Sequence, residues 1–161
     1  MTFLGIDPGT TITGYGVIRE NQGQLCLVDY GCIYTKGSLG DKFKKIYSEL
    51  EKVLKTYKPQ AVAIEKLFFC KNIKTAIDVG QARGVILLQI AMHGLPICEL
   101  TPLQVKQAVT GDGRATKEQV QKMVKILLNL KNLPKPDDAA DALALAISCA
   151  AFFKNKFGFS D

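Results

Sequence analysis

Lys58-Pro-Gln-Ala61-Val-Ala-Ile-Glu65 is the stretch that decides the fold. Ala61 to Glu65 is a short apolar run that follows a proline breaker and ends in a carboxylate, the pattern of a buried strand. Upstream, Phe43, Ile46, Tyr47, Leu50, Val53, Leu54 and Tyr57 recur at helical spacing from a helix start at Ser38 with Asp41, and Pro59 stops that helix. A strand entered through a helical crossover pairs in parallel with its neighbour. At the N-terminal end, Thr2 to Asp7 is a second buried run, closed by Pro8-Gly9. Asp7 and Glu65 therefore both end strands.

Tyr15 to Arg19 and Leu25 to Tyr34 complete a three-strand meander across Gly-containing turns. Lys71 to about Ala91 has helical periodicity, and Pro96 to Leu100 is a fifth strand. Thr101-Pro-Leu-Gln104 is a capping box with proline at the first helical position, opening a short helix to about Val109. Thr110 to Ala115, with two glycines, reads as a flexible loop. Thr116 with Gln119 opens a helix that turns Val120, Met123, Val124 and Leu127 inward and Lys117, Lys122 and Lys125 outward. Beyond Pro134 and Pro136, Asp137 to Ile147 is an alanine-rich helix that can lie close to a sheet. There are no internal repeats, and 161 residues form one domain, 1–161, able to bury roughly 68 to 70% of its unfolded surface without disulfide or structural metal.

Composition narrows the function. A net charge of +6 favours a polyanionic partner, with nucleic acid ahead of an anionic membrane. No stretch approaches the roughly 18 apolar residues of a membrane span, and the N-terminus lacks a basic secretory start, so the expected location is cytoplasmic. Cys26, Cys32, Cys70, Cys98 and Cys149 are odd in number and never spaced C-x-x-C, which argues against a disulfide framework or zinc site and reads them as small buried hydrophobes. The single histidine, His93, stands before Gly94 as a helix-end cation and cannot lead a histidine-based mechanism.

Four acids stand where a buried polar group needs a reason: Asp7 and Glu65 at strand ends, and Asp138 with Asp141 three apart on one helix face. Each alone has an ordinary explanation as a turn, an ion pair or a complement to the helix dipole. Together, with no His or Cys among them, they form the oxygen-only donor set that Mg2+ and Mn2+ prefer. Acids so grouped repel unless a cation joins them, and two ions sharing a carboxylate would activate water for phosphodiester hydrolysis. Asp137 lies about 100° away on the helix and is assigned to N-capping.

Leu4-Gly-Ile-Asp-Pro-Gly-Thr10, Gly14-Tyr-Gly-Val17, Ala63-Ile-Glu65, Gly80-Gln-Ala-Arg-Gly84, Val105-Lys-Gln107 and Asp138-Ala-Ala-Asp-Ala-Leu-Ala144 closely resemble, in order and spacing, the RuvC family of Holliday junction resolvases. The resemblance runs from Gly5 to about Ile147. It implies an α/β, ribonuclease H-like fold with a five-stranded mixed sheet flanked by helices. It also implies a homodimer that makes paired symmetric nicks in four-way DNA junctions with Mg2+, Mn2+ substituting and two ions per site, alongside the RuvA and RuvB branch-migration proteins. By the same resemblance Asp7, Glu65, Asp138 and Asp141 are the catalytic metal ligands, Lys106 and Lys117 lie near DNA, and Phe68 is the junction-contacting aromatic.

Ala76, Gly80, Gly84 and Leu88 form one helical row whose small members allow another backbone to approach. Since Ile73, Ile77, Ile86, Leu87 and Ile90 make this helix apolar beyond one face, burial on two sides is expected, against the sheet and against a dimer partner. Alternatively, Gly84 is small so that DNA can reach Arg83. An actin-like ATPase reading of Asp7-Pro-Gly-Thr-Thr11 fails on length, because nucleotide there sits between two such domains. A non-catalytic junction-binding module would explain the charge but not the four acids, and a relative acting on RNA or RNA-DNA hybrids would share the carboxylate chemistry.

Overall fold

The computed structural model describes the backbone at residues 1–66 and 73–157, and side chains at 1–66 and 76–153. Its elements are β1 (Thr2–Asp7), β2 (Ile12–Asn21), β3 (Gln24–Tyr34), α1 (Leu39–Tyr57), β4 (Ala61–Glu65), α2 (Ile73–Met92), β5 (Ile97–Leu100), α3 (Pro102–Thr110), α4 (Lys117–Leu127) and α5 (Asp137–Phe157). The five strands form one mixed sheet in the order β3-β2-β1-β4-β5. β1, β2 and β3 pair antiparallel as the meander requires, while β1 with β4 and β4 with β5 are parallel. The helix boundaries follow from local chemistry: Ser38 with Asp41, Thr101 with Gln104 and Thr116 with Gln119 each make both bonds of a capping box.

Strand alternation divides the core in two. Leu4, Ile6, Val17, Val62 and Ile64 face α1 and α2, packing with Ile46, Leu50, Ala82 and Ile86. Phe3, Ile18, Ala61 and Ala63 face the other way and pack under α5, with α3 and α4 alongside. Phe3 meets Phe153 of α5 edge to face at 5.5 Å between ring centroids. The alanine run of α5 is buried, and its proximity to the sheet is extreme at two glycines: a Cβ on Gly5 would stand 2.0 Å from the Ala142 carbonyl oxygen, and one on Gly14 2.1 Å from that of Asp138. Both obstacles are backbone, which cannot swing aside.

Several sequence expectations shift. β2 extends beyond Tyr15 to Arg19 because its ladder with β3 runs out to the turn at Gln22 and Gly23, which adopt φ of 49° and 83°. The loop from Thr110 to Ala115 is tied down: Gln107 donates to the Gly111 carbonyl and accepts from the Gly113 N–H, and Asp112 accepts from the Arg114 N–H. Of the cysteines within the described residues only Cys149 is buried; Cys32 and Cys98 are half-buried, and Cys26 on the edge strand is exposed. Cys70 lies outside the described residues. His93 stands just past α2, its Nδ1 against the Gln89 carbonyl at 2.9 Å and its Nε2 3.3 Å from Glu51 of α1, so it joins two helices as well as ending one. No described helix is long and apolar enough to cross a membrane.

Gly5→Ala is expected to destabilise the protein by about 1 to 3 kcal/mol or more, since the added methyl must push α5 off the sheet. Chemical denaturation of the metal-free protein measures this, and an unchanged midpoint would mean that the helix is not held against β1.

Candidate active site

Alternation along the strands delivers the first two acids. Asp7 follows Phe3 and Gly5 on the α5 side of β1, and Glu65 follows Ala61 and Ala63 on the same side of β4. The parallel register, with Ile6 opposite Ile64, sets these two strand ends beside each other. Helix α5 crosses above them and brings Asp141. Asp7, Glu65 and Asp141 line one cleft of about 220 Å3 together with Lys106 of α3 and Lys117 of α4.

Asp138 is half-buried but does not line this cleft. It sits where α5 starts over β2, its backbone carbonyl against Gly14, and its charge reaches both Asp7 and the Cys32 thiol. Asp137 is the first residue of α5 and not its N-cap. Its carboxylate pairs with Lys135 at 3.1 Å and Lys117 at 3.8 Å, which accounts for an acid outside the cleft differently from the capping expectation.

Electrostatics mark the cluster as one awaiting positive charge. The Asp7 carboxyl is pushed up to about 7, first by burial, then by the negative charges of Asp141, Glu65 and Asp138, with Lys117 pulling the other way. Glu65 is raised too, by burial and then by Asp141. Lys117 supplies the local cation: its Nζ donates to the Asp141 carboxylate at 2.8 Å, and that bond holds the ammonium above its ordinary pKa. Among the described residues no three Asp, Glu, His or Cys side chains stand close enough to share one ion. The donor set nevertheless fits a hard divalent ion, being oxygen-only and over-supplied with negative charge, with a lysine ammonium standing where a cation is needed.

The structure thus brings together Asp7, Glu65, Asp141, Lys106 and Lys117. It does not bring Arg83 into the cleft. Arg83 lies on the α2 side of the sheet, only 14% exposed, paired with Glu99 of β5 and donating from Nε to the Glu65 carbonyl at 3.2 Å. Phe68 lies outside the described residues. On α2, Ala82, Ile86, Gln89 and Ile90 turn into the core, which is the sheet side of the expected two-sided burial. The row Ala76, Gly80, Gly84 and Leu88 points away: Ala76 and Gly80 are half-buried, Gly84 and Leu88 are exposed, and a Cβ on Gly84 would meet nothing within 4 Å. Glu99 was not singled out from the sequence; alternation along β5, opposite to Cys98 and Leu100, was the signal that would have placed it on the α2 side.

A five-stranded mixed sheet with three antiparallel strands, a helical crossover to two parallel ones and helices on both faces makes this a ribonuclease H-like protein of the resolvase type. The family model for crossover junction endodeoxyribonuclease RuvC matches residues 3–149, and the chain belongs to the RuvC family. It is 52% identical over 154 residues to the crossover junction endodeoxyribonuclease RuvC of Brevibacillus brevis, covering 94% of this chain and 93% of the relative. To that of Heliobacterium modesticaldum it is 53% identical over 152 residues, covering 93% and 94%. Among solved structures, T. thermophilus RuvC in complex with Holliday junction substrate superposes with a TM-score of 0.92 at 35% identity, covering 97% of this chain and 96% of that one.

Because the Asp7 carboxyl holds its proton more tightly folded than unfolded, its neutral form favours the fold below pH about 4, and that advantage is lost as pH rises towards about 7. In metal-free buffer Asp7→Asn is therefore expected to match the wild-type melting temperature near pH 4 and exceed it by several degrees at pH 8. A difference independent of pH would show that Asp7 is not held protonated by its neighbours.

Proposed function

We propose that the chain is a metal-dependent endonuclease that resolves four-way Holliday junctions by paired symmetric phosphodiester hydrolysis during recombination and repair. The observation that carries this reading is the convergence of Asp7, Glu65 and Asp141 with Lys106 and Lys117 on one cleft. The family named crossover junction endodeoxyribonuclease, and a relative whose structure was solved with a Holliday junction substrate, support it.

Asp7, Glu65, Asp141 and Asp138 would hold the metal, with Mg2+ the natural ion, Mn2+ substituting and two ions per site. When bound, such ions activate water and stabilise the leaving 3'-oxygen. The chain's own residues do the rest. Asp7 would serve as a ligand in its ionised form, Lys117 steadies the Asp141 carboxylate, and the Lys117 and Lys106 ammonium groups at the cleft would meet the phosphate backbone. Phe68, three residues beyond Glu65, is proposed to stack on a base that the crossover leaves partly unpaired, a contact of roughly 1 to 3 kcal/mol that intact duplex does not offer.

A two-fold dimer matches a substrate with two equivalent scissile strands. The open row of α2 supports it: Ile77, Leu88 and Met92 are 55%, 59% and 66% exposed around Gly84, an apolar face left largely open by the described residues. The proposed setting is the cytoplasm, with RuvA and RuvB as partners and residues 1–161 acting as one nuclease domain.

Offering a mobile four-way junction, a linear duplex and an RNA-DNA hybrid with and without Mg2+ tests the activity. Cleavage confined to the junction and dependent on the ion is expected, and Asp7→Asn, Glu65→Gln and Asp141→Asn should each abolish it while leaving junction affinity largely intact. Preferred cleavage of the hybrid would instead assign the carboxylates to an RNA-directed enzyme. Separately, Gly84→Leu should shift the protein from dimer to monomer in sedimentation, and a folded variant that stays dimeric would move the interface off α2.

A further inference from the structure

Glu65 is the last residue of β4, and what holds a metal ligand at a strand end decides how well it is aimed. In the parallel ladder of β1 with β4, Val62 turns its N–H to Pro96 before β5, so the odd-numbered residues of β4 turn their backbone groups to β1. With Ala63 opposite Gly5, continuing the register directs the Glu65 carbonyl at residue 8, the first residue past the end of β1. That residue is Pro8, which has no N–H to donate. The ladder therefore ends one bond short at the residue whose side chain enters the cleft.

Arg83 supplies the missing donor. Its Nε donates to the Glu65 carbonyl at 3.2 Å, while its Nη2 is engaged by the Glu99 carboxylate. On the other side of the strand, Lys66 donates to the Leu100 carbonyl at 2.8 Å, so the end of β4 is fastened from both flanks. Glu99 alternates with Cys98 and Leu100 on β5 and so stands on the α2 side, where it orients the guanidinium. The planar guanidinium presents separate N–H groups to the carbonyl and to the carboxylate in fixed directions, whereas an ammonium on the same stem gathers its three donors on one atom.

We propose that Arg83, oriented by Glu99, is a positioning residue for Glu65: it replaces the ladder bond that Pro8 cannot make and so aims the Glu65 carboxylate at the metal, from the face of the sheet opposite to the DNA. This rests on the metal-dependent reading above and replaces a DNA contact as the role of Arg83.

Calorimetric titration of metal-free protein with Mn2+, beside junction affinity measured in EDTA across a salt series, tests the assignment. Arg83→Gln and Arg83→Lys are both expected to weaken Mn2+ binding, on the order of 10-fold, with junction affinity and its salt slope unchanged. Glu99→Gln should weaken Mn2+ binding in the same direction but less, because its amide oxygen still accepts from Arg83. Unchanged Mn2+ affinity in either folded Arg83 variant overturns the proposal. So does a fall of about 1 in the salt slope for Arg83→Gln that Arg83→Lys restores, the behaviour of a phosphate contact. If Arg83→Gln fails to fold, Arg83→Lys, which still offers Glu99 a cation, decides alone. A wild-type protein that takes up no Mn2+ would overturn this proposal and the metal-dependent reading together, whereas normal wild-type uptake with unaltered variants overturns this one only.

Discussion

Gly5 and Gly14 present bare backbone where α5 crosses β1 and β2, and the backbone carbonyls of Ala142 and Asp138 occupy the space a side chain would need. Everything at the cleft depends on this contact. Asp7 is fixed to the sheet and Asp141 to the helix, so their separation is set by how closely helix and sheet approach. The alanines of α5 and the glycines of β1 and β2 are two halves of one steric solution. Neither half would serve with larger partners, because close-packed interiors respond even to a methyl group.

That closeness has an electrostatic cost that falls mainly on Asp7. Burial and three neighbouring carboxylates push its carboxyl up to about 7, and Lys117 provides partial relief through its bond to Asp141. A protein selected for stability alone would replace one of these acids with a neutral group. Retaining them is the trade expected of a site in which strain is relieved by a ligand. The basic balance of the chain, carried into the cleft by Lys106 and Lys117, then suits a phosphate arriving with its counter-cations.

The two faces of the sheet carry different duties. The α5 side holds the carboxylates and lysines; the α1 and α2 side holds the larger aliphatic cluster, the Arg83–Glu99 pair and, on the outside of α2, the open apolar row. A single strand, β4, links them, because Glu65 sends its side chain to one face while Arg83 grips its carbonyl from the other.

Strand and helix order, the helix starts at Ser38, Thr101 and Thr116 and the two strand-end acids were legible in the sequence, because each depends on local spacing: two-residue alternation, helical periodicity, and Ser or Thr three residues before Asp or Gln. The family was legible for a similar reason, its motifs being short and ordered along the chain. What the sequence could not decide were matters of which groups meet across the fold. Asp138 and Asp141 share a helix face, yet only Asp141 lines the cleft, since the crossing of α5 over β2 turns the start of the helix towards Gly14. Arg83 in a glycine-flanked motif read as a DNA contact, and its burial against Glu99 and the Glu65 carbonyl emerged only when α2, β4 and β5 were assembled. Spacing along a chain determines what a segment becomes; the partner of a charged side chain is set by packing between segments far apart in sequence, and that is a tertiary fact.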